Sequence, residues 1–137
     1  MMAEWAARII KQDPFTPPYM CLGFSHGGKM AAVVVVHEYR PPNCFVSIAS
    51  VNPRFATRKN LRVIADWVFG QLKCTRMTGL VDRKNKRARR FDEGIGFRLE
   101  GVLRKALPGG GDLCVYGLLP EDFEAAMSRR KPRKKAA

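Results

Sequence analysis

Acidic side chains are scarce in this chain. Twelve aspartates and glutamates stand against 25 lysines and arginines, giving a formal net charge of +13 over 137 residues. An excess of this kind disfavours a polycationic partner and favours polyanions, among which a coenzyme with several phosphates counts as much as a nucleic acid does. Histidine is scarcer still, with only His26 and His37 present. The four cysteines, Cys21, Cys44, Cys74 and Cys114, make no Cys-x-x-Cys pair. A zinc centre needs such clusters, so no metal is expected. Each cysteine lies in an apolar context, which predicts free buried thiols in a reducing compartment. Long hydrophobic runs are also lacking. The apolar stretch Met30–Val36 covers seven residues, whereas a membrane-crossing helix takes about 20. The opening segment MMAEWAARIIKQD has no long apolar core and no cleavage-like site. It is not a signal peptide on that reading, and a cytoplasmic protein without a membrane partner is expected.

What remains is an ordinary globular composition, 46% hydrophobic. A chain of this length suits one domain that buries about two-thirds of its unfolded surface. The domain is expected over residues 1–127. A basic, disordered tail is expected over 128–137, since six of the lysines and arginines fall between Arg129 and Lys135. The tail holds no aromatic residue on which bases could stack.

Hydrophobic periodicity predicts the elements. Trp5, Ile9 and Ile10 share one face of a short helix over Ala3–Gln12, which ends at a proline-rich stretch. Met20–Phe24 and Met30–Tyr39 read as strands, joined by a hairpin turn in which Gly27 and Gly28 supply the backbone freedom. The unbroken β-branched run Val33–Val36 predicts a central strand buried on both faces. Cys44–Val51 is a further strand. A helix over Leu61–Leu72 then buries Leu61, Ile64, Ala65, Val68 and Leu72. Arg76–Val81 is a strand, Lys84–Glu93 a helix, and Phe97–Leu103 with Leu113–Leu118 an antiparallel pair. Gly101 marks a bulge or a close approach. One or two helical turns follow over Glu121–Met127. The order α-β-β-β-α-β-α-β-β requires a parallel crossover around the middle helix and hairpins elsewhere. The fold class is α/β, a mixed and mostly antiparallel sheet flanked by helices.

The stretch Asn85–Arg104, NKRARRFDEGIGFRLEGVLR, carries a specific pattern. Asn85, Ala88, Glu93, Gly96 and Phe97 fall at the offsets of Asn-x-x-Ala/Ser followed by a helix end of the form Glu-Lys-Leu-Gly-Phe. This resembles the C-terminal half of the GNAT acetyltransferases, closest to the branch of ribosomal-protein N-terminal acetyltransferases. The likeness covers about Met20–Phe123 and implies an N-terminally shortened GNAT fold. It implies acetyl-CoA as co-substrate and a primary amine as acceptor: a protein N-terminus, a lysine or a small amine. The amine would attack the thioester directly within a ternary complex. It further implies a dimer formed through the last strands.

The same likeness assigns candidate residues. GNAT proteins hold the coenzyme pyrophosphate on a Gln/Arg-x-x-Gly-x-Gly/Ala turn at a helix start, where backbone N–H groups and the helix dipole attract phosphate. Arg54 fits the first position, and Thr57, Arg58, Lys59 and Asn60 complete the turn. Thr57 and Lys59 replace the small residues usual there, yet Thr57 is suited to capping the helix. Val51 and Ser50 end the preceding strand, where a backbone N–H would polarise the acetyl carbonyl. Asn85 would meet the pantetheine arm. Glu38 and His37 are candidates for the general base, and alternation points them to opposite faces. The tyrosine that protonates the leaving thiolate in many GNAT enzymes is replaced by Asp92, which Arg87, Arg89 and Arg90 are expected to keep ionised. Tyr116 is the substitute candidate. The competing reading is a catalytically inactive GNAT-fold module that binds nucleic acid or an acidic protein through its basic surface or tail.

Overall fold

A computed structural model describes residues 1–130, so the expected tail lies outside the described residues from Lys131 onward. The chain divides into two compact units, the first from Met1 to Leu80 and the second from Val81. The first unit holds α1 (Met2–Ile9), β1 (Tyr19–His26), β2 (Lys29–Arg40), β3 (Asn43–Ser50), α2 (Arg58–Ala65) and most of β4 (Arg76–Asp82). The second holds α3 (Lys86–Ile95), β5 (Arg98–Leu103), β6 (Leu113–Leu118) and α4 (Pro120–Arg129). The strands make one mixed sheet in the order β1-β2-β3-β4-β6-β5. This is the α/β architecture that the order of elements predicts.

In the first unit β1 and β2 form the predicted hairpin, running from Tyr19 opposite His37 to His26 opposite Lys29. Gly27 and Gly28 have φ of 61° and 77°. Two successive positive φ values give the turn that matches strand twist, and a side chain at either place would strain it. Val33, Val34, Val35 and Val36 are fully buried, as their unbroken run predicts. On one face Val33 and Val35 pack with Ala49 and with Ala6 of α1, and Met2, Trp5, Ile9 and Ile10 close around them. Alanine on that helix face lets the helix backbone lie close to the sheet. β2 bulges near its end. The register with β3 slips between His37 and Arg40, and Glu38 takes φ 47°. A glutamate in that left-handed region costs about 1 kcal/mol, so the surrounding strands hold it there.

The parallel crossover joins β3 to β4 through α2. The helix begins at Arg58, earlier than periodicity alone predicts, because Thr57 caps it: Thr57 Oγ1 accepts the Asn60 N–H at 3.1 Å. The predicted stretch to Leu72 does not stay α-helical. After Ala65 the chain widens into a π-helical turn, Asp66–Gln71, closed by Leu72 N–H donating to Trp67 O at 2.9 Å.

In the second unit α3 is capped by Asn85, whose Oδ1 accepts the Ala88 N–H at 3.1 Å. The helix stops at Gly96, φ 117°. β5 and β6 pair antiparallel, and the register moves from Leu99 opposite Tyr116 to Gly101 opposite Val115, so the bulge foreseen at Gly101 is present. α4 is longer than expected, with Pro120 in its first turn and Phe123, Ala126 and Met127 buried.

Candidate active site

β3 and β4 pair for only three residues: Asn43 with Arg76, Cys44 with Met77, Phe45 with Thr78. The start of this ladder is pinned. Thr78 Oγ1 donates to Asn43 Oδ1 at 2.9 Å and accepts from Arg76 Nε at 3.2 Å. Beyond Phe45 and Thr78 the two strands no longer pair with each other, although β3 runs on to Ser50. Antiparallel pairing with β2 fixes which way the β3 backbone points. Val51 N–H donates to Ala31 O at 2.9 Å, continuing the register in which Ser50 faces Ala32. Backbone groups alternate in direction along a strand. Those of Val46, Ile48 and Ser50 therefore point away from β2, toward the side where the ladder with β4 has ended. Of the two residues expected to polarise a carbonyl, Ser50 has its N–H on that side, and Val51 spends its N–H on β2. The Ser50 hydroxyl donates to Asn52 O at 3.2 Å.

The turn from β3 into α2 is wound on itself. Asn52 Oδ1 accepts the Arg54 N–H at 3.0 Å, and Asn60 Nδ2 donates to Phe55 O at 2.8 Å. The backbone N–H groups of Phe55, Ala56, Thr57 and Leu61 donate to oxygens within the turn. Phe55 is buried, whereas Arg54, Arg58 and Lys59 lie toward solvent. Asn60 thus serves the turn itself, and its backbone N–H belongs to the Thr57 cap. An anion at this helix start would meet the Lys59 N–H, the basic side chains and the helix dipole.

His37 is half-buried in the first unit. Its Nε2 lies 2.9 Å from Ser47 Oγ, a partner that sequence inspection missed. Counting the register would have found it. His37 faces Phe45 on β3, so Ser47 is the diagonal neighbour on the same face. Phe15 and Phe45 flank the ring at centroid distances of 5.2 and 5.9 Å. Burial lowers the His37 pKa below its usual 6.5, against the opposing pull of Glu38. The imidazole therefore stays neutral and able to take a proton. Glu38, one residue on, is exposed on the bulge.

In the second unit Tyr116 is fully buried, and its hydroxyl donates to Glu93 Oε2 at 2.7 Å while accepting from Arg89 Nε at 3.0 Å. Burial raises its pKa. It is a tied structural group rather than a ready proton donor. Asp92 corrects the sequence expectation. Burial, reinforced by Glu93, raises its pKa from 3.8 to about 7. The arginines do not hold it ionised because the helix turns them elsewhere. Arg89 reaches Tyr116 and Arg83 O, and Arg87 and Arg90 face solvent. Asn85, Ala88, Asp92 and Ile95 fall at spacings of three, four and three residues, one line along α3. Asn85 spends its side-chain oxygen on the cap and keeps its amide N–H₂ as the donor that a ligand would meet.

Cys44, Cys74 and Cys114 are buried, Cys21 is half-buried, and all four are free thiols. Burial, reinforced by Cys74, pushes the Cys44 thiol up to about 12. Burial raises the Cys21 and Cys74 thiols as well, so these three are poor nucleophiles at neutral pH.

No protein-family model and no curated protein sequence matches the chain. Solved structures do. One bearing an acetyltransferase designation superposes with a TM-score of 0.69 at 26% identity, over 83% of this chain and 63% of its own. A second with that designation, from T. thermophilus, gives 0.68 at 25% identity, over 83% and 65%. The spermidine/spermine N-acetyltransferase SpeG from Vibrio cholerae, in mutant forms, gives 0.65 at 18% identity, over 78% and 70%. The chain thus spans slightly under two-thirds of the length of the first two. Its fold is that of the GNAT acetyltransferases.

Proposed function

We propose that this protein moves an acetyl group from acetyl-coenzyme A to a primary amine. The observation that carries the proposal is the parting of β3 from β4 after Phe45 and Thr78, directly upstream of a capped, basic helix start. Ligands of sheets with parallel crossovers sit outside the carboxyl ends of the strands, and phosphates favour helix N-termini. Arg54, Arg58 and Lys59 supply the charge for the pyrophosphate. The Ser50 N–H would donate to the developing oxyanion.

The amine nitrogen attacks the thioester carbon, the C–N bond forms, and the C–S bond breaks. The amine must first lose a proton, and His37 is the base we favour, with Ser47 Oγ fixing its ring. Glu38 is the alternative base. The departing thiolate needs a group that is protonated near neutral pH. Tyr116 is protonated there too, but its hydroxyl proton is committed to Glu93; Asp92, protonated up to about pH 7, is the candidate we favour.

The acceptor we favour is a protein N-terminus, as in the ribosomal-protein branch that the Asn85–Phe97 pattern resembles. SpeG acts on spermidine and spermine, but a chain of net charge +13 repels polyamines. Release of free coenzyme A thiol, followed with peptide and polyamine acceptors, tests this. Turnover with neutral or acidic N-terminal peptides, above that with spermidine, is expected. Turnover with spermidine alone would contradict the acceptor assignment, and none with any amine would contradict the reaction. One observation favours the inactive binding module instead: Thr57 and Lys59 occupy the usual glycine places, and the turn satisfies most of its own N–H groups.

A further inference from the structure

The segment Arg83–Arg90 reads RKNKRARR, six cations in eight residues with no acidic residue among them. The fold sorts these cations. Arg89 is turned inward to the Tyr116 hydroxyl and Arg83 O. Arg83 pairs with Asp112 at 3.0 Å. Lys84, Lys86, Arg87 and Arg90 are all exposed, and among the described residues none of them forms an ion pair. Lys86, Arg87 and Arg90 rise about 6 Å along the start of α3, and Lys84 stands two residues before it.

We propose that this face of α3 docks on the phosphate backbone of a double-stranded nucleic acid. The chemistry of the face selects that partner. Protein interfaces centre on aromatic and apolar anchors and are poor in lysine, and the side chains between these four cations are Asn85, Ala88 and the inward Arg89. A single strand would call for exposed aromatic rings to stack its bases, and this face presents none. Arginine and lysine without such anchors fit a regular array of phosphates, bound by counterion release and without base readout. The overall charge of +13 adds long-range attraction.

Fluorescence anisotropy with a labelled duplex of about 20 base pairs, from about 50 to 200 mM salt, tests the proposal. The protein should bind, and the affinity should fall linearly on a log–log plot against salt. The variant Lys84→Ala/Lys86→Ala/Arg87→Ala/Arg90→Ala should bind at least about tenfold more weakly at low salt, with a slope shallower by about three to four. If that variant melts early, Arg87→Ala/Arg90→Ala alone should lower the slope by about two. The charge-keeping Lys84→Arg/Lys86→Arg pair should bind like the parent. Neutralising Lys131, Arg133, Lys134 and Lys135 provides the contrast. If only that change abolished binding, or if the α3 variants bound like the parent, the assignment would be overturned. Polyglutamate that competes with the duplex charge for charge would also overturn it, in favour of an acidic protein surface.

Discussion

At the residue scale, Asp92 shows burial outweighing nearby charge. Its folded pKa of about 7 lies above the ordinary 3.8. The neutral form is the one that folding favours, so its contribution is intact below about pH 4 and is lost as pH rises to about 7. Asp92→Asn should therefore stabilise the protein above about pH 8 by up to about 4 kcal/mol, a gain that vanishes below about pH 4. Urea unfolding at both pH values checks this, and equal stabilities at high pH would mean that the carboxyl is hydrated. His37 works in the opposite sense. Its folded pKa is depressed, so a base at this position stays neutral through the ordinary histidine range and fails only as pH falls through the lowered value. His37→Gln should cut kcat by about a hundredfold and remove the acid limb of the pH–rate profile. Coenzyme binding should be unchanged in that variant. A limb that survives the substitution would transfer the base role to Glu38.

At the element scale, two substitutions probe what fixes the helices. Thr57→Ala removes the oxygen that accepts the Asn60 N–H and should cost about 1 kcal/mol in chemical denaturation. Gly96 is more demanding. Its φ is 117°, and a Cβ there would lie 2.6 Å from Asp122 O. Gly96→Ala should destabilise by roughly 2–4 kcal/mol, since it combines backbone strain with a clash against main chain. A loss under about 0.5 kcal/mol would mean that α4 yields easily. Local signals made most of these elements readable from sequence. The unbroken valines marked the buried strand and Gly27–Gly28 the hairpin, whereas the helix expected over Lys84–Glu93 runs Lys86–Ile95, set by the Asn85 cap and by Gly96. What sequence could not show depended on pairing or direction. The π-helical turn after Ala65 has no periodic signature, and the approach of Ser47 to His37 depends on strand register. Asp92 was misread because counting arginines along the chain ignores that neighbouring residues leave a helix in different directions.

At the scale of the whole molecule, charge and fold make compatible demands. A GNAT fold presents a basic helix start beyond two parting strands, and under the proposed function an excess of +13 would draw a polyanionic coenzyme toward it. The exposed cations of α3 add a second surface for phosphate, built from residues other than those of the turn that Thr57 caps. General attraction and a built pyrophosphate site differ in how they respond to salt. Attraction to net charge is screened, whereas short hydrogen bonds from backbone N–H groups to a seated phosphate are screened less. Calorimetric titration of the full chain with acetyl-coenzyme A, at low and at physiological salt, separates the two most directly. Micromolar binding is expected, persisting at physiological salt and weakening in an Arg54→Ala/Lys59→Ala variant. Absence of binding, or binding that disappears with added salt, would contradict the proposed function and leave a basic GNAT-fold module that does not carry acetyl-coenzyme A.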